Sequence, residues 1–277
     1  METARTVVVT GANRGIGFAV ARQVAEQGHR VVMLVRDRES GLEARRRLSA
    51  YGDVQLVLGD LSDPARTRTA AEALLDACPR IDVLVHNAGV WPSRLERGEG
   101  GVERAFAVNH LAPFLLDHLL APVVPRGGRV VQVSAGLYVK GRVDLERTPR
   151  GDDFHPLRTY ATTKLCNLLL LERFAEWFAE RGVTINAVHP GVIRTGLGDR
   201  EGLFGLVLRG VKRLWKDPEE GAVPVVRLAL DPALEGVTGR YFHLSIETPL
   251  APVARDEALA RALWDQAERL CGLSGPG

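Results

Sequence analysis

A chain of 277 residues, 45% apolar and 25% charged, has the balance of a folded globular protein, which excludes a disordered tail, a collagen-like polymer and a mucin-like stalk. Thirty-six basic residues against 34 acidic ones leave a net charge of +2, too little for the phosphate-neutralising stripe of a nucleic-acid binder, so no nucleic-acid partner is expected. No apolar run approaches the ~18 residues of a bilayer span and the first residues lack a signal-peptide pattern, so the expectation is a cytoplasmic protein without stable membrane insertion. Cys78, Cys166 and Cys271 form no C-x-x-C pair and read as reduced fillers of apolar space.

Along the chain, short β-branched runs alternate with longer stretches of helical period, the pattern of repeated βαβ units. Strands are predicted at Thr6–Thr10, Arg30–Val35, Val54–Leu58, Val83–His86, Arg129–Ser134, Thr184–Val188 and Arg240–His243. Helices are predicted at Ile16–Gln27, Glu39–Ala50, Pro64–Ala77, Val102–Leu120, Thr159–Glu180, Pro218–Leu230 and Glu257–Leu270. With no repeat and no linker, these make a single-domain α/β protein with a doubly wound, seven-stranded parallel sheet of Rossmann-like type. One glycine-interrupted apolar and basic insertion, 196–216, stands before the sixth helix.

The first strand runs directly into Gly11, Asn13, Arg14, Gly15, Ile16 and Gly17 and then into a helix. Glycines there allow a tight turn, close approach of a phosphate to a helix N-terminus, and packing of helix on strand. The second strand ends at Val35-Arg36 with no acid before the arginine. A carboxylate there would favour the ribose hydroxyls of NAD; Arg36, with Arg14 in the glycine loop, favours the 2′-phosphate of NADP(H), although Asp37 stands beside Arg36. Tyr160 and Lys164 are four residues apart on a predicted helix and share a face. A phenol with its pKa pulled toward neutrality by an adjacent ammonium can donate a proton, although a Tyr and a Lys at this spacing are by themselves commonly a surface pair.

The spacing G-x-x-x-G-x-G resembles the short-chain dehydrogenase/reductase family, and the resemblance continues along nearly the whole chain. Asp60-Leu61 is similar to the family's adenine-contacting pair, and Asn87-Ala88-Gly89 to its motif after the fourth strand. Asn109 is similar to its helix-borne catalytic Asn, Tyr160-x-x-x-Lys164 to its catalytic pair, and His189-Pro190-Gly191-Val192-x-x-Thr195 to its nicotinamide-side turn. Within the family, LVRDRE and the segment from Val237 resemble the retinol-dehydrogenase-like branch. The resemblance implies that Lys164 also holds the nicotinamide ribose and that Asn109 supports a water-linked proton relay. It implies a serine at the end of the fifth strand, where a gap-free match puts Ala135. Ser134 is therefore a candidate through a one-residue shift, with Tyr138 or a water as the other replacements.

The reading that follows is an NADPH-dependent reductase of ketones or aldehydes on bulky hydrophobic small molecules, or a dehydrogenase of the corresponding alcohols, with hydride transfer and Tyr160 as general acid or base. A non-catalytic NADP(H)-binding sensor or scaffold is the alternative. The apolar side chains of 196–216 are expected to form a substrate lid, against simple packing or a membrane-surface helix. The segment Leu165–Phe178 is apolar on most of its circumference and must be covered by a neighbouring helix or a second subunit; the resemblance favours a homodimer. His86, His110, His155 and His189 lack metal-ligand spacing and read as structural, and no G-x-S-x-G elbow supports a hydrolase.

Overall fold

The computed structural model describes residues 4–191 and 217–273. Val192, Thr195 and the expected lid at 196–216 lie outside the described residues. In chain order the elements are β1 (Thr6–Thr10), α1 (Gly15–Glu26), β2 (Arg30–Val35), α2 (Arg38–Leu48), β3 (Val54–Leu58), α3 (Pro64–Ala77) and β4 (Val83–His86). There follow α4 (Arg104–Phe106), a π-helical turn (Ala107–Leu111), α5 (Ala112–Leu120), β5 (Arg129–Val133), α6 (Pro156–Leu169) and α7 (Leu171–Ala179). The chain then forms β6 (Thr184–His189), α8 (Pro218–Leu230), β7 (Tyr241–His243), β8 (Ile246–Glu247) and α9 (Glu257–Cys271).

The sheet order is β3-β2-β1-β4-β5-β6-β7-β8. Strands β1 to β7 are parallel, as their near-continuous Val, Ile and Leu content requires when both faces are covered. The eighth strand corrects the expected count of seven. Ile246–Glu247 pairs antiparallel with β7 and is too short to carry an alternating signal. One apolar layer, with Val7, Val9, Val131 and Val188, lies under α1, α2 and α8; the other, with Val8, Leu84, Val130 and Ile185, lies under α3, α5, α6, α7 and α9. The order reverses between β1 and β4, and that crevice at the carboxyl ends of the strands is where an open α/β sheet places its ligand.

Two predicted helices are interrupted. Val102–Leu120 contains the π-helical turn Ala107–Leu111, whose extra residue re-aims the side chains around Asn109. Thr159–Glu180 starts earlier, at Pro156, and breaks at Leu170. The break lets both sides of the apolar segment be buried within one chain. Leu168, Leu169, Leu171, Phe174 and Phe178 belong to the core, and α9 covers them through Trp264, whose ring lies 4.7 Å from Phe174 and 5.0 Å from Phe114. The apolar circumference is thus covered by a neighbouring helix of the same chain. Residues Arg104–Val123 are long and apolar enough to cross a membrane, with a mean hydropathy of 1.2, but 78% of that stretch is buried inside the fold.

Candidate active site

The glycine loop is shaped by its backbone. Gly11 and Gly15 have φ of +67° and +58°, a region that side chains disfavour. A Cβ on Gly17 would lie 2.4 Å from Asn87 Nδ2 and 2.5 Å from the Gly11 carbonyl, so this glycine is required for α1 to close on the loop. The Gly11 N–H donates to the Leu34 carbonyl at 2.8 Å and Asn13 Nδ2 to Ser40 Oγ at 3.0 Å, which bring the loop to the carboxyl end of β2 and the start of α2. Asn87 Nδ2 donates to the carbonyls of Thr10 and Gly11, while the N–H groups of Asn87 and Ala88 both donate to Thr10 Oγ1.

This cradle fits an anionic dinucleotide. Helices α2, α3, α6, α8 and α9 each have an N-terminal N–H bonded by a capping side chain, from Asp37, Asp63, His155, Asp217 and Asp256. Helix α1 has no side-chain cap at Arg14, so its first-turn N–H groups and its dipole are open to a phosphate. Arg14 and Arg36 are exposed. The Asp37 carboxylate accepts from Ser40 N and Ser40 Oγ, bonds that hold it below the usual carboxylate range and commit it to capping α2. Asp60 accepts from Ser62 N and from Arg66 at 3.3 Å, whereas Leu61 is buried in the core.

At the other end, Tyr160 and Lys164 are buried one helical turn apart on α6. Lys164 Nζ donates to the Val133 carbonyl at 3.0 Å, at the last residue of β5, and lies 5.9 Å from the Tyr160 ring centroid. Asn109 is fully buried; its Oδ1 accepts from Val90 N at 2.8 Å and its Nδ2 donates to the Val90 carbonyl at 2.9 Å and Thr163 Oγ1 at 3.0 Å. A Cβ on Gly89 would sit 3.4 Å from Asn109 Oδ1 and 3.9 Å from Lys164 Nζ, so the β4 loop, the π-helical turn and α6 meet at one point. Pro190 is buried and Gly191 turns with φ of +93° at the exit of β6.

Ser134 is the first residue past β5, its Oγ buried without a partner, and Ala135 beside it is half-buried. Tyr138 Oη, one of the expected replacement hydroxyls, accepts from Ala251 N at 2.9 Å, which ties its oxygen to the segment after β8. The histidines are each engaged: His86 with Asp117 at 2.7 Å, His110 with Asn167 at 3.0 Å, His155 as the α6 cap and His189 stacked on His243.

Four residues that pattern reading passed over belong to this geometry. Thr10 closes the loop knot, Thr163 bonds Asn109, Asn167 donates to the Asn109 carbonyl at 2.7 Å, and Trp91 stacks on Tyr160 at 4.6 Å. Asn167 and Trp91 each carried a signal, the first at three residues from Lys164 and the second two residues past Gly89.

The expected pull of the lysine on the phenol is opposed within the protein itself. Burial pushes the Tyr160 phenol above its usual range and the Lys164 ammonium down to about 8. Between about pH 8 and the normal lysine value near 10.5, the unfolded chain holds a proton that folded Lys164 has shed. The unfolded state binds more protons, so this group's contribution to stability rises with pH across the window. The stability of wild type relative to Lys164→Met should therefore rise by about 2 kcal/mol between pH 7.5 and 10 in urea titrations. A pH-independent difference would refute the buried-ammonium account.

Residues 5–202 match the short chain dehydrogenase family. Retinol dehydrogenase 14 of Mus musculus is 38% identical over 289 residues, spanning 97% of this chain and 86% of that protein. A crystal structure of a protein from Mycobacterium paratuberculosis superposes with a TM-score of 0.79 at 29% identity, covering 99% of this chain and 95% of that one. Blue fluorescent protein from a metagenomic library, solved in complex with NADPH, superposes with a TM-score of 0.68 at 28% identity, over 87% of this chain and 96% of that one. With the open-ended α1 and the buried Tyr160–Lys164 pair, these likenesses make the chain a member of the short-chain dehydrogenase/reductase family, nicotinamide-dependent oxidoreductases acting on alcohols or carbonyls.

Proposed function

We propose that this protein is an NADP(H)-dependent oxidoreductase that reduces ketones or aldehydes carried by bulky hydrophobic small molecules, or oxidises the corresponding alcohols. The observation that carries the reading is the convergence of Tyr160, Lys164 and Asn109 at the carboxyl end of β5, beside a glycine loop whose helix end is open. Gly11, Asn13, Gly15, Ile16 and Gly17 would hold the pyrophosphate, Asp60 and Leu61 the adenine side, and Asn87, Ala88 and Gly89 the stretch between the glycine loop and Lys164. Lys164, Pro190, Val192 and Thr195 would hold the nicotinamide side.

When bound, NADPH supplies hydride to the carbonyl carbon. Tyr160 gives its phenolic proton to the carbonyl oxygen as negative charge develops there, and the Lys164 ammonium stabilises the phenolate left behind. Asn109 keeps the β4 loop and α6 in register around that transfer. Burial of all three keeps the phenol and the ammonium away from bulk solvent. A cytoplasmic setting belongs to the same reading, supported by three buried free cysteines and the burial of Arg104–Val123 in the fold.

The cofactor preference is supported by Arg36 and Arg14 at the mouth of the loop and by the capping duty of Asp37, and by the NADPH found in a structural relative. Charge-assisted bonds to the 2′-phosphate are worth about 1.5–3 kcal/mol. NADPH should bind roughly tenfold or more tighter than NADH by fluorescence titration, with Arg36→Ala closing most of the gap. Equal affinities in wild type would remove the preference.

Tyr160→Phe should leave NADPH affinity near wild type and lower turnover by roughly 10²–10⁴ in a spectrophotometric assay of NADPH consumption. Unchanged turnover would disqualify the phenol as the acid.

The serine position supplies its own test. With Ala135 where the family places a hydroxyl, Ala135→Ser should raise kcat on a generic ketone, and Ser134→Ala should matter little. If Ser134 fills the role, its removal costs roughly 10² in turnover, the scale of one lost oxyanion donor. No turnover by wild type or Ala135→Ser on any carbonyl or alcohol would favour the non-catalytic alternative.

A further inference from the structure

The indole of Trp91 lies flat against the ring of Tyr160, with centroids 4.6 Å apart and planes 11° from parallel. Two anchors place it there. The preceding residue, Val90, has both its N–H and its carbonyl bonded to the Asn109 side chain. The indole Nε1 donates to the Pro156 carbonyl at 2.9 Å, at the first residue of the helix that carries Tyr160 one turn further on. Trp91 is therefore tied to the β4 loop and to α6 at once, and any motion of α6 carries the indole with the phenol.

The stack decides what can approach. Tyr160 is only 6% exposed, Trp91 covers one face of its ring, and the indole itself is half-buried. The phenol donates its proton in the ring plane, so a carbonyl oxygen meets it at the rim of the stack, with one of the carbonyl's flanks beside the indole edge. Ala135 offers no hydroxyl to that oxygen; Ser134 Oγ, buried without a partner, and Tyr138 Oη, which accepts from Ala251 N, could fix only the oxygen, so the carbonyl's two flanks are read by the walls of the site.

We infer that Trp91 is a specificity-determining residue, an aromatic wall that admits carbonyls with one slim flank, such as aldehydes and methyl ketones, and turns away ketones with bulky groups on both sides. The inference builds on the reductase reading above and fixes which part of a hydrophobic substrate can carry the reacting carbon. A bulky body is compatible with the site provided the carbonyl stands at its slim end. An indole is stiff, with two rotatable side-chain bonds, and its N–H anchor removes the freedom it would use to swing aside.

The test compares kcat/KM for hexanal, acetophenone and benzophenone with NADPH in wild type, Trp91→Phe and Trp91→Ala. The expected result is a rise of roughly tenfold or more in the benzophenone-to-hexanal ratio for Trp91→Ala, within the range that pocket volume alone commands. Trp91→Phe, which keeps a ring but loses the bond to Pro156, should shift the ratio in the same direction by about two- to threefold. NADPH affinity by fluorescence titration should stay within about twofold in both, because the substrate wall is separate from the phosphate cradle. An equal loss of rate on all three carbonyls, or an unchanged ratio, would reduce Trp91 to a prop for Tyr160 and overturn the inference while leaving the reductase reading intact. Should Trp91→Ala fail to fold, the Phe variant decides alone, by the same ratio. A wild type that consumes no NADPH with any of the three, or with other carbonyls, would instead overturn the reductase reading and the inference built on it.

Discussion

The molecule depends on the knot that joins β1 to β4 at the point where the sheet reverses its order. Thr10 Oγ1 accepts from the N–H groups of Asn87 and Ala88 and donates to the Val85 carbonyl, while Asn87 Nδ2 bonds the Thr10 and Gly11 carbonyls. Where two strands diverge, their backbone groups lose ladder partners, and buried polar groups left unpaired are costly. One threonine and one asparagine satisfy that debt here. They leave a crevice whose floor is tightly bonded, and the missing Cβ of Gly17 lets α1 close on it. The open helix end, the loop after β4 and the end of β5 are all placed relative to this floor.

From the floor, the chemical end is built by burial more than by charge. Lys164 is held by a carbonyl at the end of β5, Tyr160 is covered by Trp91, and Asn109 spends its side chain on the β4 loop and on Thr163. Desolvation disfavours both the phenolate and the ammonium, so a proton stays on the phenol until negative charge develops beside it. The same burial makes any donor or positive group aimed at that charge stronger than it would be in water. Trp91 thus joins two properties that are often separate, the dryness of the acid and the shape of the space in front of it.

Much of this was legible in the residues. The strands through β6 follow from β-branched runs bounded by turn residues, and their observed limits differ from the predicted ones by a residue at most. The glycine loop, Asn87-Ala88-Gly89, Asn109 and the Tyr160–Lys164 pair are local in sequence, so spacing alone places each on its element. Other features leave no periodic trace. The π-helical turn at Ala107–Leu111 adds one residue to an otherwise regular apolar pattern, and the break at Leu170 falls inside an unbroken run of leucines. Strand β8 has two residues and no alternation to read.

What the sequence determined by itself is therefore the set of short-range patterns: a parallel α/β sheet, a phosphate-ready loop, and a phenol and an ammonium on one helix face. These rest on periodicity and on spacings of a few residues, which the backbone fixes without help from distant segments. Tertiary structure alone decided how the patterns meet. It took the apolar circumference of α6 and α7 and covered it with α9, about 90 residues later. It engaged Tyr138 with Ala251 and left Ser134 without a partner. It also laid Trp91 on Tyr160, 69 positions further along the chain. Such contacts depend on packing between elements far apart in the chain, and no local pattern encodes them.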